Sequence, residues 1–405
     1  MIINRYIDNY FLSLFCAIPL TILIGSAVSL INIILIDISF LILVICNRNF
    51  SFLKDKSILY LLLLYAYLIF NSFNSINFYE GFLRNFGFIR IIILFMAFNF
   101  FFLHDHFYKK VLKFWSLIIF IVLIDVFIES YLGKNILGFD GKQYGKRIVS
   151  FFKDEPIVGG YLNGFYLIII GFFMIELKQK KFLFISLIAI LFMMAILFTG
   201  ERSNTIKAFM GISLFVLFIK SIDLKKKITL ILATLILVFF SISNHHYLKQ
   251  RFDRQIKTSL VKDSVYALLY ISGFEMFKNN KLFGVGNKNY RVEACKPKNI
   301  DIYKCNTHPH QIYLELLSEH GIFGAFVILF ILYKLIFSKI WNTLKESNYL
   351  KIGSLIYMVI VFTPILPSGA FFNNFVLTIF CINLSVFYAL DKKLNIFRNK
   401  IEMNI

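Results

Sequence analysis

Long apolar runs alternate with short, mostly basic turns along nearly the whole chain. Runs of spanning length begin near Phe11, Ser26, Ser57, Asn85, Val111, Ile157, Phe182, Ile206, Ile228, Gln311, Ile352 and Asn374. A helix needs about 20 predominantly apolar residues to cross the hydrocarbon core, so this pattern predicts an all-α polytopic membrane protein with about 12 transmembrane helices. The spans are read as a single integral membrane domain over residues 1–405. The stretch from Phe11 to Cys46 is short for two full spans and predicts a tight hairpin of short or tilted helices. Gly25-Ser-Ala27 mimics a signal-peptide cleavage site. The start carries little positive charge, however, and the apolar pattern resumes at once, so the first span is read as retained.

Composition agrees with this class. Of the 405 residues 59% are hydrophobic and 16% charged, whereas soluble domains run near a quarter charged. Charge then orients the spans. Basic clusters lie at Arg48/Lys54/Lys56, Lys109/Lys110, Lys178/Lys180/Lys181, Lys225/Lys226/Lys227, Lys339/Lys345/Lys351 and Lys392/Lys393/Arg398/Lys400. With twelve spans and a cytoplasmic N-terminus all of them fall on the cytoplasmic side, as the positive-inside bias requires. A missed or extra span would split them.

On the opposite side the longest connection, residues 243–310 between spans nine and ten, is too polar to span. It carries 12 Lys and Arg against 5 Asp and Glu. Long loops translocate largely regardless of charge, so the orientation stands. The excess fits anionic lipid headgroups or a phosphate-bearing substrate. A nucleic-acid partner is not expected, because these residues are tethered to the outer side of a membrane. Cys16, Cys46 and Cys381 lie in spans and read as small apolar residues. Cys295 and Cys305 lie in the long loop, where an oxidising face favours a disulfide. A zinc site with His308 and His310 is the alternative, and oxidation would remove its thiolates. No metal and no cofactor are expected.

Three separated segments bring candidate chemistry to this outer side. His310 opens the tenth span, Arg202 lies in the turn between the seventh and eighth, and Arg147 precedes the sixth. Neutral imidazole accepts a proton near neutral pH, and guanidinium groups bind phosphate in bidentate fashion. Pro309 suits the first turn of a helix, with Thr307 or His308 as its cap. The positive helix end would attract anions and keep His310 neutral. Arg90, about a turn inside the fourth span, is expected to pair with Asp37 or Asp125 or to reach into the same cavity. Glu319 is read as an anchor for the loop or as the group that orients the base, and His320 as structural. A capping histidine and snorkelling arginines are the structural alternatives; convergence of three segments on one side weighs for chemistry.

The residues also carry a resemblance. His310-Gln311, followed after nine residues by Gly321-Ile-Phe-Gly324, resembles the histidine motif of the bacterial O-antigen ligase and polymerase family. His308-Pro309, Tyr313-Leu314 and Glu319 match that motif as well. Phe274 through Gly286, ending in Gly-Val-Gly, is similar to the family's loop segment. Arg202-Ser-Asn-Thr-Ile206 is similar to its arginine motif, with Ile206 where the family has Leu, and Arg147 through Tyr161 resembles the loop before the sixth span. The resemblance covers most of residues 140–330. Ser264 through Tyr270 lacks an arginine that members often carry there, which leaves Arg251, Arg254 or Arg291 to replace it.

What the resemblance implies is a metal-independent, inverting glycosyltransferase of the membrane-embedded GT-C type, in a bacterial inner membrane with its active site at the periplasmic face. The implied donor is a glycan on undecaprenyl pyrophosphate. The implied acceptor is lipid A–core for a ligase or a lipid-linked repeat unit for a polymerase; a related group glycosylates protein. His310 would be the general base and Arg202 would stabilise the pyrophosphate, with Arg147, Arg251, Arg254, Arg291 or Arg90 beside it. His308, Gln311, Glu319, Gly321 and Gly324 would support them. Membrane lipids, a flippase and a chain-length regulator would be further partners. A lipid-linked oligosaccharide flippase is the competing reading; against it, polar residues gather at one face and no two-half repeat is visible.

Overall fold

The computed structural model describes residues 5–48, 50–153, 155–177, 182–259, 264–299 and 301–398, the side chains of 51 and 254–259 excepted, and among them no strand occurs. Helices α1 (Arg5–Ile24) and α2 (Ser26–Cys46) form the expected hairpin, joined at Gly25. Then come α3 (Lys56–Phe73), α4 (Phe78–Phe86), α5 (Ile89–Phe101) and α6 (Asp105–Leu132). After a non-helical connection follow α7 (Val158–Glu176), α8 (Phe182–Phe198), α9 (Arg202–Phe218) and α10 (Leu224–Asn244). The long polar connection folds as α11 (His246–Ser259), α12 (Val265–Asn279) and α13 (Tyr290–Ala294). Helices α14 (Ile312–Leu335), α15 (Ile340–Leu344), α16 (Tyr349–Val361) and α17 (Asn374–Ala389) complete the order.

Each predicted apolar run falls on one of these helices. Among the described residues eight helical stretches are long and apolar enough to cross a membrane, and α8, α16 and α17 are apolar but shorter. This is a multi-pass membrane protein. The outer wall is apolar too: on α10, Phe239 and Phe240 are 63% and 64% exposed, a surface that suits lipid and not water. The centre is α7, most of whose residues are buried. It meets α16 at two glycines: a Cβ at Gly171 would stand 2.6 Å from the Tyr349 carbonyl, and one at Gly353 would run into the Leu167 carbonyl. Small residues at such crossings let backbones approach closely.

Charge in the basic turns has structural uses as well. Lys351 is 1% exposed and pairs with Glu346 at 2.7 Å and with Asp391. Lys178, Lys180, Lys181 and Lys400 lie outside the described residues.

Helix α14 begins later than its sequence predicts. Its cap is Gln311, whose side chain accepts from Leu314 N–H at 2.7 Å, instead of Thr307 or His308. The physical reason lies across the site. The backbone N–H of Ser368 donates to His310 O at 2.9 Å, and His310 adopts φ +56°, so Pro309 and His310 enter the helix without joining it.

The same helix is broken at Gly321 (φ 64°, ψ −172°), a conformation essentially restricted to glycine. The break frees backbone groups on both sides, and the Gly-Val-Gly segment takes them up. Val285 and Gly286 N–H donate to Ser318 and Glu319 O at 2.9 Å each, while Ile322 N–H donates to Lys281 O at 2.8 Å. Glu319 adds its carboxylate, accepting from the N–H groups of Lys288 at 3.0 Å and Tyr290 at 3.1 Å. Its contacts are those of a loop anchor. A Cβ at Gly324 would run into the Tyr67 hydroxyl, and that hydroxyl also lies 3.2 Å from Nδ1 of the fully buried His320.

Candidate active site

One cavity of about 490 Å³ gathers Arg147, Arg202, Arg251, His308 and His310. It lies where α7, α9, α14 and α17 begin and α16 ends. Five candidates from four separated segments, spread between residues 147 and 310, thus share one space.

The histidines come in on the segment before α14. His308 is buried; its Nε2 lies 3.1 Å from Ser368 O and its Nδ1 2.9 Å from the Thr307 hydroxyl. A carbonyl only accepts, so Nε2 carries the proton and Nδ1 accepts from Thr307 in the neutral ring. Burial pushes its pKa down to about 4, and the neighbouring His310 adds to the fall. The two rings lie against each other with centroids 4.0 Å apart and planes tilted by 40°. His310 is less enclosed. Burial lowers its pKa as well, opposed by a hydrogen bond to the Ser368 backbone. Both rings are therefore neutral near neutral pH, and Tyr266 meets His310 edge-on at 6.1 Å.

The guanidinium groups are held by backbone carbonyls. Arg147 donates to Pro156 O at 2.8 Å, Arg202 to Arg251 O at 2.8 Å and Arg251 to Gly200 O at 3.3 Å. Nε of Arg147 and of Arg251 is buried with no hydrogen-bond partner. Among the described residues none of the three forms an ion pair with a carboxylate. Carbonyl anchoring fixes their positions without a direct ion pair to a carboxylate, which suits an anionic ligand.

Glu201 and Asn204 build the frame. Glu201 accepts from Gly159 N–H at 2.6 Å, at the start of α7, and from Asn204 Nδ2 at 2.7 Å. Asn163 of α7 donates to Asn204 O at 3.2 Å. This carboxylate therefore ties α7 to α9 and places Arg202 beside Arg147. Burial raises its pKa; the Arg147 charge and these hydrogen bonds oppose the rise.

Other candidates lie elsewhere. Arg291 is exposed on α13 and does not line the cavity. The side chain of Arg254 lies outside the described residues. Arg90 makes no direct ion pair with Asp37 or Asp125. It interacts with Asp37 through charge and donates to Asn374 Oδ1 at 2.7 Å and Gly87 O at 2.8 Å, while Asp125 accepts from Ile136 N–H at 2.9 Å and from the Ser150 hydroxyl. Arg90 lines a neighbouring cavity of about 430 Å³, which shares Glu155, Ile157 and Phe375 with the first. Gln311, Glu319, Gly321 and Gly324 lie behind the cavity wall, capping α14 and fixing the loop. Cys295 and Cys305 are joined as a disulfide. Sequence reasoning missed Glu201, Asn204, Tyr266 and Lys207 as cavity residues. The only signal for Lys207 was a charge inside an apolar run, which is costly unless it is used.

A cationic, histidine-bearing cavity at one end of a membrane helix bundle defines a class of multi-pass proteins equipped to handle an anionic substrate at a membrane surface. Residues 187–329 match the family model described as O-antigen ligase, and the match supports the O-antigen ligase/polymerase family. It spans Arg202, Arg251, Tyr266, His308 and His310, and it supports a ligase- or polymerase-type function in general terms. No curated protein matches the chain.

Proposed function

We propose that the protein transfers glycan from undecaprenyl pyrophosphate to a sugar hydroxyl at the periplasmic face of a bacterial inner membrane, as an O-antigen ligase or polymerase. The observation that carries this reading is the sharing of one cavity by His310 and the guanidinium groups of Arg147, Arg202 and Arg251. His310, neutral, accepts the proton of the acceptor hydroxyl as that oxygen attacks the anomeric carbon. The bond from that carbon to the pyrophosphate breaks on the opposite face, which inverts the configuration. Negative charge gathers on the departing pyrophosphate, where Arg202, Arg147 and Arg251 stabilise it. Pyrophosphate is a good leaving group, so positioning and charge stabilisation drive the step without a metal ion.

His310→Ala should abolish transfer while undecaprenyl-linked units still reach the periplasm. Loss of their periplasmic appearance would overturn the transferase reading in favour of a flippase. Surface glycans of a deletion strain on a gel then separate the two activities. A core bearing one repeat indicates a polymerase, and polymer retained on the lipid carrier indicates a ligase.

A further inference from the structure

The cavity holds a fourth cation that the mechanism does not use. Lys207 lies on α9, three and four residues beyond Asn204 and Ser203, and lines the cavity with them; residues so spaced share a helix face. It is 8% exposed, and its ammonium makes no hydrogen bond or ion pair among the described residues. Glu201 is engaged by Gly159 and Asn204, and Glu155 sits at the exposed rim.

Depth distinguishes Lys207 from the arginines. Lys207, Asn163, Tyr357 and Ile379 line the cavity four or five residues in from the cavity-side ends of α9, α7, α16 and α17. At 1.5 Å per residue this floor lies about 6–7.5 Å below the helix ends that carry Arg202. The Tyr357 hydroxyl also makes no hydrogen bond among the described residues. A buried ammonium without a counter-charge is strongly disfavoured, so the floor suits a second negative group below the one held by the arginines. A lipid diphosphate presents two such groups in line, the one nearer its apolar chain lying deeper in the membrane.

We propose that Lys207 binds the carrier-side phosphate of the lipid diphosphate, below the outer phosphate that the arginines hold. The inference rests on the reading in the preceding section. Binding of a short-chain polyprenyl diphosphate and of its monophosphate to the full-length protein, measured by thermal shift and by inhibition of transfer, tests it. The wild type should prefer the diphosphate by about ten- to a hundredfold, the range of one charge-assisted hydrogen bond. Lys207→Met should weaken both ligands and keep that preference, Lys207→Arg should bind both as the wild type does, and Arg202→Ala should remove the preference by weakening the diphosphate alone. Unweakened binding of both ligands in Lys207→Met, or weakening of the diphosphate alone, overturns the assignment. The thermal shift reads out whether or not transfer is detected. A wild type that transfers nothing therefore overturns the preceding reading, while the effect of Lys207→Met on binding of the two ligands still decides this one.

Discussion

At the scale of single residues, the two histidines have divided roles. His308 has both ring nitrogens engaged by Thr307 and Ser368, whereas His310 faces the cavity beside it. The acid limb of kcat/KM should therefore lie below pH 6.5, the ordinary histidine value from which burial lowers His310, since the base works only when neutral; a limb above it would remove His310 from that role. His308 adds a stability effect of the same sign. Its pKa is about 4 in the folded protein against 6.5 for the free side chain. The unfolded chain then binds more protons between those values, so the contribution is complete above pH 6.5 and lost as pH falls towards about 4. Melting temperatures across that interval should fall with acidity in the wild type and less in His308→Gln. Arg202→Ala should lower kcat by about 100- to 1,000-fold, the effect of removing one preorganised charge stabiliser. His310, Arg202 and Arg147 were legible in the sequence because topology alone sends them to one side. Arg251 was not separable from Arg254 and Arg291, because tertiary contacts decide which face of a long connection meets the cavity.

At the scale of elements, hydrophobic length made the helices readable, but it left their ends open. Pro309 promised a helix start, yet the bond from Ser368 N–H to His310 O holds this stretch outside the helix. Nor does hydropathy reveal the break at Gly321, because the polar Ser318-Glu319-His320 before it is as compatible with the inner face of a continuous helix as with a break. The spacing of the glycines was the only trace, and its meaning is the close passage of Leu282 and Phe283 against the break. Gly321→Ala combines a backbone conformation foreign to alanine with a clash at the Leu282 carbonyl. It should destabilise the protein by about 1–3 kcal/mol, read as a lower denaturation midpoint. An unaltered midpoint would show that α14 can straighten without loss.

At the scale of the whole molecule, charge predicts the orientation, and thiol labelling can test it. In a background with Cys16, Cys46 and Cys381 replaced by Ser, Lys110→Cys and Lys226→Cys should resist an impermeant thiol reagent in intact spheroplasts, while Lys142→Cys should react. Labelling of all three, or of none, would require a different number of crossings. The backbone stitch between residues 281–286 and 318–323 has a consequence for how such a protein can diversify. One end of the segment between Tyr290 and Lys304 is fastened by Glu319. At the other end Lys304 N–H donates to the Ser272 hydroxyl at 2.6 Å, and the Tyr290 hydroxyl donates to Lys304 O at 3.2 Å. The disulfide closes the chain between them. With both ends clamped, the exposed part of that segment, at Pro297, Lys298, Asp301 and Ile302, should accept substitution without passing strain to His310, while Ala294 and Tyr303 stay packed against Met276 and Val285. It is an exchangeable cartridge on a fixed mount.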